Sequence, residues 1–176
     1  REERRRGGFL SAGDRRLTAV MSVVIQTGPF DAQAEADALR KGDLEVGAVV
    51  TFVGTVRDLN EGDAVATLEL EHYPGMTERS LEAIVDEARS RFDIRGVRVI
   101  HRVGVLAPGD PIVLVAVTSA HRGEAFDACR FVMDYLKTRA PFWKKERTPA
   151  GERWVEARAA DDEAAARWSP ASGKVA

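Results

Sequence analysis

The chemistry-bearing residues of this chain gather where lysines flank a proline: Leu136-Lys137-Thr138-Arg139-Ala140-Pro141-Phe142-Trp143-Lys144-Lys145-Glu146. Lys137 lies beside an apolar seam at the end of an expected helix, so its stem can be buried while its amine faces a cleft. Pro141 forces the residue before it out of helical geometry, and the reversal carries Lys144 back toward Lys137. A second amine nearby depresses a lysine pKa and makes it usable as acid, base or nucleophile. Phe142 and Trp143 could wall such a site or support a flat ring. A plainer explanation fits the same spacing. A cation at a helix C-terminus complements the dipole, and the other charges are then a solvated run.

Two further clusters point to an anion. Ser119-Ala120-His121-Arg122-Gly123 follows a buried strand and precedes a helix, where free backbone N–H donors and the dipole favour negative charge. His121 adds a switchable cation and Arg122 a permanent one. The alternative is an ordinary helix entry with a solvated Arg and a satisfied His. Gly54-Thr55-Val56-Arg57-Asp58 ends the first long strand, and Arg57 could clamp a phosphate bidentately or simply pair with Asp58 at a turn. His101 and His72 read as packing residues, and Cys129 falls on an apolar helix seam. No His/Asp/Glu spacing resembles a metal site, and no P-loop occurs.

The elements that must position these residues follow from periodicity. Ser22 to Gln26 is β-prone, and Asp31 to Lys41 reads as a helix capped by Asp31 and ended by Gly42. Val46 to Val56 reads as a largely buried strand, and Asn60 to Asp63 as a turn. Ala64 to Tyr73 alternates, with Leu68, Leu70 and His72 on one face. Pro74-Gly75 breaks that strand. Thr77 is expected to cap the next helix, with Met76 and Leu81 as a hydrophobic staple and Leu81, Ile84, Val85, Ala88 and Phe92 as its stripe. Val97 to Val103 and Ile112 to Thr118 are strands around a Pro108-Gly109-Asp110-Pro111 turn. A second long helix runs from about Gly123 to Arg139 with the seam Phe126, Cys129, Val132, Met133 and Leu136. A hairpin turning at Thr148-Pro149-Ala150-Gly151 and a polar, Ala-rich tail close the chain. Strands paired between helices argue for α+β with a mixed or antiparallel sheet and helices on one face, not a doubly wound parallel sheet.

Bulk properties narrow the field. The chain has 176 residues, 44% hydrophobic and 31% charged, which suits one ordinary globular domain. Its net charge of −2 supplies no global basic field, so a general nucleic-acid binder is not expected and anion recognition must be local. One cysteine, Cys129, excludes an internal disulfide and suits a reducing, cytoplasmic setting. No apolar run approaches membrane-spanning length. Residues 1–21 are Arg-rich and precede regular patterning; they are expected to be a disordered or non-native extension, residues 22–168 the domain, and 169–176 a flexible tail.

The stretches VVTFVGTVRD, LEHYPGMTE, IVDEAR, VIHRVG, VTSAHRGEAFDAC, MDYLKTRAPFWKKE and RWVEAR resemble, in order, the large subunit of the molybdopterin synthase family. The resemblance covers about Ser22 to Trp168. It implies an α/β hammerhead-type α+β fold with a small extra β subdomain. It implies a central homodimer with a small ubiquitin-like sulfur-carrier subunit at each end, a heterotetramer. It implies that two sulfurs pass from the carrier's C-terminal thiocarboxylate to cyclic pyranopterin monophosphate, giving molybdopterin, with no cofactor on this chain. Lys137 matches the main catalytic lysine, as general acid/base or transient amine partner of the thiocarboxylate carbonyl, and Lys144 its partner beside the carrier tail. Arg57, His121 and Arg122 match substrate-binding positions, and Thr55, Val56, Lys145 and Glu146 fall in the same binding stretches. Arg158 matches an arginine that reaches across the dimer. A non-catalytic adaptor for a ubiquitin-like tail is the rival expectation; it would need the tail channel without the phosphate cations.

Overall fold

Val97, Val99, Val113, Val115 and Val117 recur at every second position, and that period of two gives the main sheet one continuous apolar face. A computed structural model of the chain describes residues 22–156 and 158–169. The expected N-terminal extension and nearly all of the expected tail lie outside the described residues. The elements are β1 (Val23–Gln26), α1 (Ala32–Arg40), β2 (Ala48–Thr55), β3 (Leu59–Asn60), β4 (Asp63–Ala64), β5 (Thr67–His72) and α2 (Met76–Arg91). They continue with β6 (Gly96–Arg102), β7 (Gly104–Leu106), β8 (Pro111–Ser119), α3 (Arg122–Arg139), β9 (Phe142–Thr148), β10 (Gly151–Val155) and α4 (Ala159–Ala166).

The main sheet has the order β1-β6-β8-β2 and is mixed: β1 runs parallel to β6, and the other neighbours are antiparallel. Helices α2 and α3 cover its valine face through Leu81, Ile84, Val85, Ala88, Phe131 and Val132. A second, antiparallel sheet has the order β10-β9-β5-β7, with a small core of Val56, Leu68, Leu70 and Leu106. This is the α+β architecture with a mixed sheet and an additional β unit that the sequence led us to expect.

Several local expectations need correction. Helices lie on both faces of the main sheet, not one. Arg98 and Ala116 pair with each other one residue out of phase with the valines, and Glu35 of α1 reaches Arg98 at 2.8 Å on that reverse face. Strand β2 is not buried; it is the sheet's edge, and Val49, Phe52 and Val53 are 39%, 40% and 39% exposed. Gly75, not Thr77, caps α2. Its φ of 80° suits a residue without Cβ, and its N–H donates to Glu78 at 2.6 Å. Met76 is therefore the first helical residue and half exposed, so the expected staple is replaced by Thr77, whose hydroxyl accepts from Tyr73 N–H and donates to the Pro141 carbonyl. Phe126 is 61% exposed, because Ala125 and Ala128 occupy the inward positions of α3 beside Cys129. The Ala-rich tail begins with α4, which packs on α3 and is pinned by Trp168 against Phe92 and Phe131.

Candidate active site

Strand alternation decides which of the lysines and neighbours after Pro141 face inward. In the β5–β9 register Leu70 opposes Lys144 and Leu68 opposes Glu146, so Lys144 and Glu146 share the face of the buried leucines. Lys145 opposes Glu69 on the outer face. There it pairs with Glu69 at 3.0 Å and Glu152 at 3.6 Å and lies over Trp154. Lys145 was expected at the site; the period of two turns it away. Trp143 is exposed on that outer face for the same reason, and Phe142 alone of the two aromatics walls the interior.

The interior is a cavity of about 280 Å³ between the two sheets and the C-terminal end of α3. Thr55, Val56, Arg57, Lys137, Lys144, Glu146 and Arg158 all line it. Lys137 sits exposed at its mouth, in the last turn of α3, where the dipole favours a cation. Lys144 lies deeper and half-buried. Burial holds its pKa below the ordinary lysine value, and the Lys137 charge lowers it further. The sequence pointed to the second amine as the cause; desolvation is the larger one.

His101 also faces the cavity, beyond its expected packing role. Its ring stacks on Phe142 with centroids 3.8 Å apart, and Nδ1 lies 2.8 Å from the Arg102 carbonyl. Burial pushes its pKa down to about 4, so it is neutral near pH 7, and Nδ1 carries the proton that bonds the carbonyl. Cys129 is buried in the α3 seam with its thiol pushed up to about 11 by burial, which makes it a core residue and no nucleophile.

Glu146 is only 6% exposed, and its carboxylate is consumed internally: Oε1 accepts from Asn60 at 2.8 Å and Oε2 from Arg153 at 3.1 Å. It lines the cavity with both oxygens already engaged by its own chain. Arg158 donates to Asn60 Oδ1 at 2.7 Å inside its own chain's cavity.

His121 and Arg122 are elsewhere. They stand exposed at the N-terminal end of α3, around Gly47, Ala120 and Gly123. Fifteen helical residues lie between His121 and Lys137, and the sixteen residue steps span about 24 Å. Gly47 lets β2 close against this loop; a Cβ there would sit 2.3 Å from the Ala120 carbonyl oxygen. Within one chain the two cationic centres do not meet. Sequence reasoning missed Asn60 and Asp161 in the cavity. Asn60 read as a turn residue, and Asp161 lay in a segment with no apolar period to mark its helix. Among the described residues no cluster of three or more His, Cys, Asp or Glu side chains could hold a metal ion.

Residues 25–139 match the family model for MoaE protein. The molybdopterin synthase catalytic subunit of Escherichia coli K12 is 59% identical over 150 residues, 85% of this chain and 99% of the relative. The chain belongs to the MoaE family. Its fold matches the MoaE molybdopterin biosynthesis protein of Burkholderia ambifaria MC40-6 with a TM-score of 0.72 at 58% identity, covering 85% of this chain and 98% of that one. A Helicobacter pylori 26695 structure, a protein–protein complex of subunits 1 and 2 of molybdopterin-converting factor, matches at TM-score 0.64. It covers 78% of this chain and 92% of that one, and its 20% identity shows the fold alone. The MoaE model ends at Arg139, so it spans Arg57, His121, Arg122 and Lys137, while Lys144 and Arg158 lie beyond it.

Proposed function

We propose that this MoaE chain is the sulfur-transferring subunit of a molybdopterin synthase. It converts cyclic pyranopterin monophosphate to molybdopterin with two sulfurs delivered by the C-terminal thiocarboxylate of a small ubiquitin-like carrier. The observation that carries this reading is the amine pair Lys137 and Lys144 sharing one cavity with the guanidiniums of Arg57 and Arg158. Both reactants are anions, and four cationic groups in a partly enclosed site stabilise them and the charge that develops as the cyclic phosphate opens. Lys144, whose burial lowers its pKa, orients the carrier tail electrostatically and gives up a proton more readily than a solvated lysine. Lys137, at the mouth, protonates or deprotonates the reacting groups. Sulfur arrives on the partner, so the chain needs neither a catalytic cysteine nor a cofactor. The buried, unpaired Cys129 fits action in the reducing cytoplasm, and among the described residues no helix is long and apolar enough to cross a membrane.

A second copy of the chain completes the assembly in this reading, with a carrier at each end. His121 and Arg122 can serve the Lys137 cavity only from another protomer, given the length of α3. The exposed apolar residues of edge strand β2 offer a surface for that copy. An adaptor that merely held a ubiquitin-like tail would have no use for the two arginines. The deciding experiment combines the chain with thiocarboxylated carrier and cyclic pyranopterin monophosphate and follows dithiolene formation. Conversion is expected. Carrier binding with no affinity for the pterin would favour the adaptor instead.

A further inference from the structure

Asn60 is 7% exposed, and its side chain ties the two arginines of the cavity together. Its Oδ1 accepts from Arg57 Nη2 at 3.2 Å and from Arg158 Nη2 at 2.7 Å. Its Nδ2 donates to the buried Glu146 Oε1 at 2.8 Å. Arg153 locks the arrangement from behind, donating to Glu146 Oε2 at 3.1 Å and to the Asn60 carbonyl at 3.2 Å. The amide orientation is fixed by chemistry. Reversed, it would set its NH₂ against two guanidinium donors and its oxygen against a carboxylate.

A neutral oxygen is the informative choice here. An aspartate would also gather two guanidiniums, but it would cancel part of their charge and face Glu146 across a buried contact. The amide aligns Arg57 and Arg158 and leaves both charges available. We infer that Asn60 is a positioning residue, holding Arg57 and Arg158 as an un-neutralised clamp for the phosphate of the substrate and so setting substrate affinity more than turnover. The identity of the phosphate compound rests on the sulfur-transfer reading above; the anion clamp itself does not.

The test compares the full-length chain with Asn60→Asp, titrating inorganic phosphate and, separately, measuring KM and kcat for the cyclic pterin with thiocarboxylated carrier. Phosphate affinity is expected to fall, and KM to rise, by about tenfold, with kcat within about threefold of the unsubstituted chain. Asn60→Ala adds no charge and is read in its place if the aspartate variant does not fold; losing the shared acceptor is expected to weaken phosphate binding in the same direction. Unchanged phosphate affinity in a folded variant, a loss confined to kcat, or no phosphate binding by the unsubstituted chain would each overturn the clamp. Failure of the unsubstituted chain to make dithiolene while phosphate binding still depends on Asn60 would remove the sulfur-transfer reading and leave the clamp standing.

Discussion

At the scale of single residues the cavity is costly to the fold in a way that its chemistry explains. Lys144 is drawn out of water beside another cation, and its pKa is lowered by that burial first and by Lys137 second. A lysine whose folded pKa lies below its unfolded value of 10.5 binds fewer protons folded than unfolded in the window between the two. Stability therefore rises with pH across that window, and the penalty is fully present below it. Lys144→Met, which keeps the stem and removes the charge, is expected to raise the melting temperature at pH 7 by a few degrees, on the order of 1 kcal/mol. The gain should shrink toward pH 10, while dithiolene formation is lost. Thermal melts of both proteins across that range check it; a constant difference would contradict the burial argument. The outward turn of Lys145 was legible in principle, because alternation along Phe142–Thr148 separates it from Lys144. What adjacency in the motif hid was the period of two.

At the scale of elements the sequence was informative wherever a strong period met a clear stop signal. Asp31 does cap α1, accepting from Gln33 and Ala34 N–H, and the Leu81 to Ala88 stripe of α2 is buried. Pro141 ends α3 as expected. Legibility failed where tertiary pairing overrides pattern. The run Val46 to Val56 has the composition of a buried strand, yet only β8 pairs with β2, so it became an edge. Helix α4 contains no buried residue, and nothing in its own period announces it. It is held from its C-terminal side: Trp168 Nε1 donates to Asp134 at 2.8 Å, Arg91 donates to the Trp168 carbonyl, and the indole meets Phe92 and Phe131 edge-on. Because Arg158 and Asp161 sit at the start of α4, this anchor also fixes one wall of the cavity. Trp168→Ala is expected to cost about 2–3 kcal/mol and to raise KM for the pterin more than it lowers kcat. Calorimetry with steady-state kinetics reads both. A large stability loss with unchanged KM would detach α4 from the site.

At the scale of the whole molecule a chain of net charge −2 must handle anionic reactants without a global basic field. Cations are placed locally, at two ends of one helix, with Lys137 in the last turn of α3 and Arg122, beside His121, at its start. The sequence motifs revealed both groups, and the expected helix from Gly123 to Arg139 already implies the roughly 24 Å between them. A substrate small enough for the Lys137 cavity cannot touch both groups of one chain. In the proposed reaction sulfur transfer occurs at Lys137 in a cavity finished by a second copy. Mixing two inactive variants, Lys137→Ala and Arg122→Ala, after dissociation and reassembly tests it most directly. Each variant alone should lose dithiolene formation. In the mixture, heterodimers regain one intact cavity, and about a quarter of the unsubstituted activity should return if pairing is random. Near-normal activity of Lys137→Ala alone, or no recovery from a mixture shown to form heterodimers, would contradict sulfur transfer at a shared cavity.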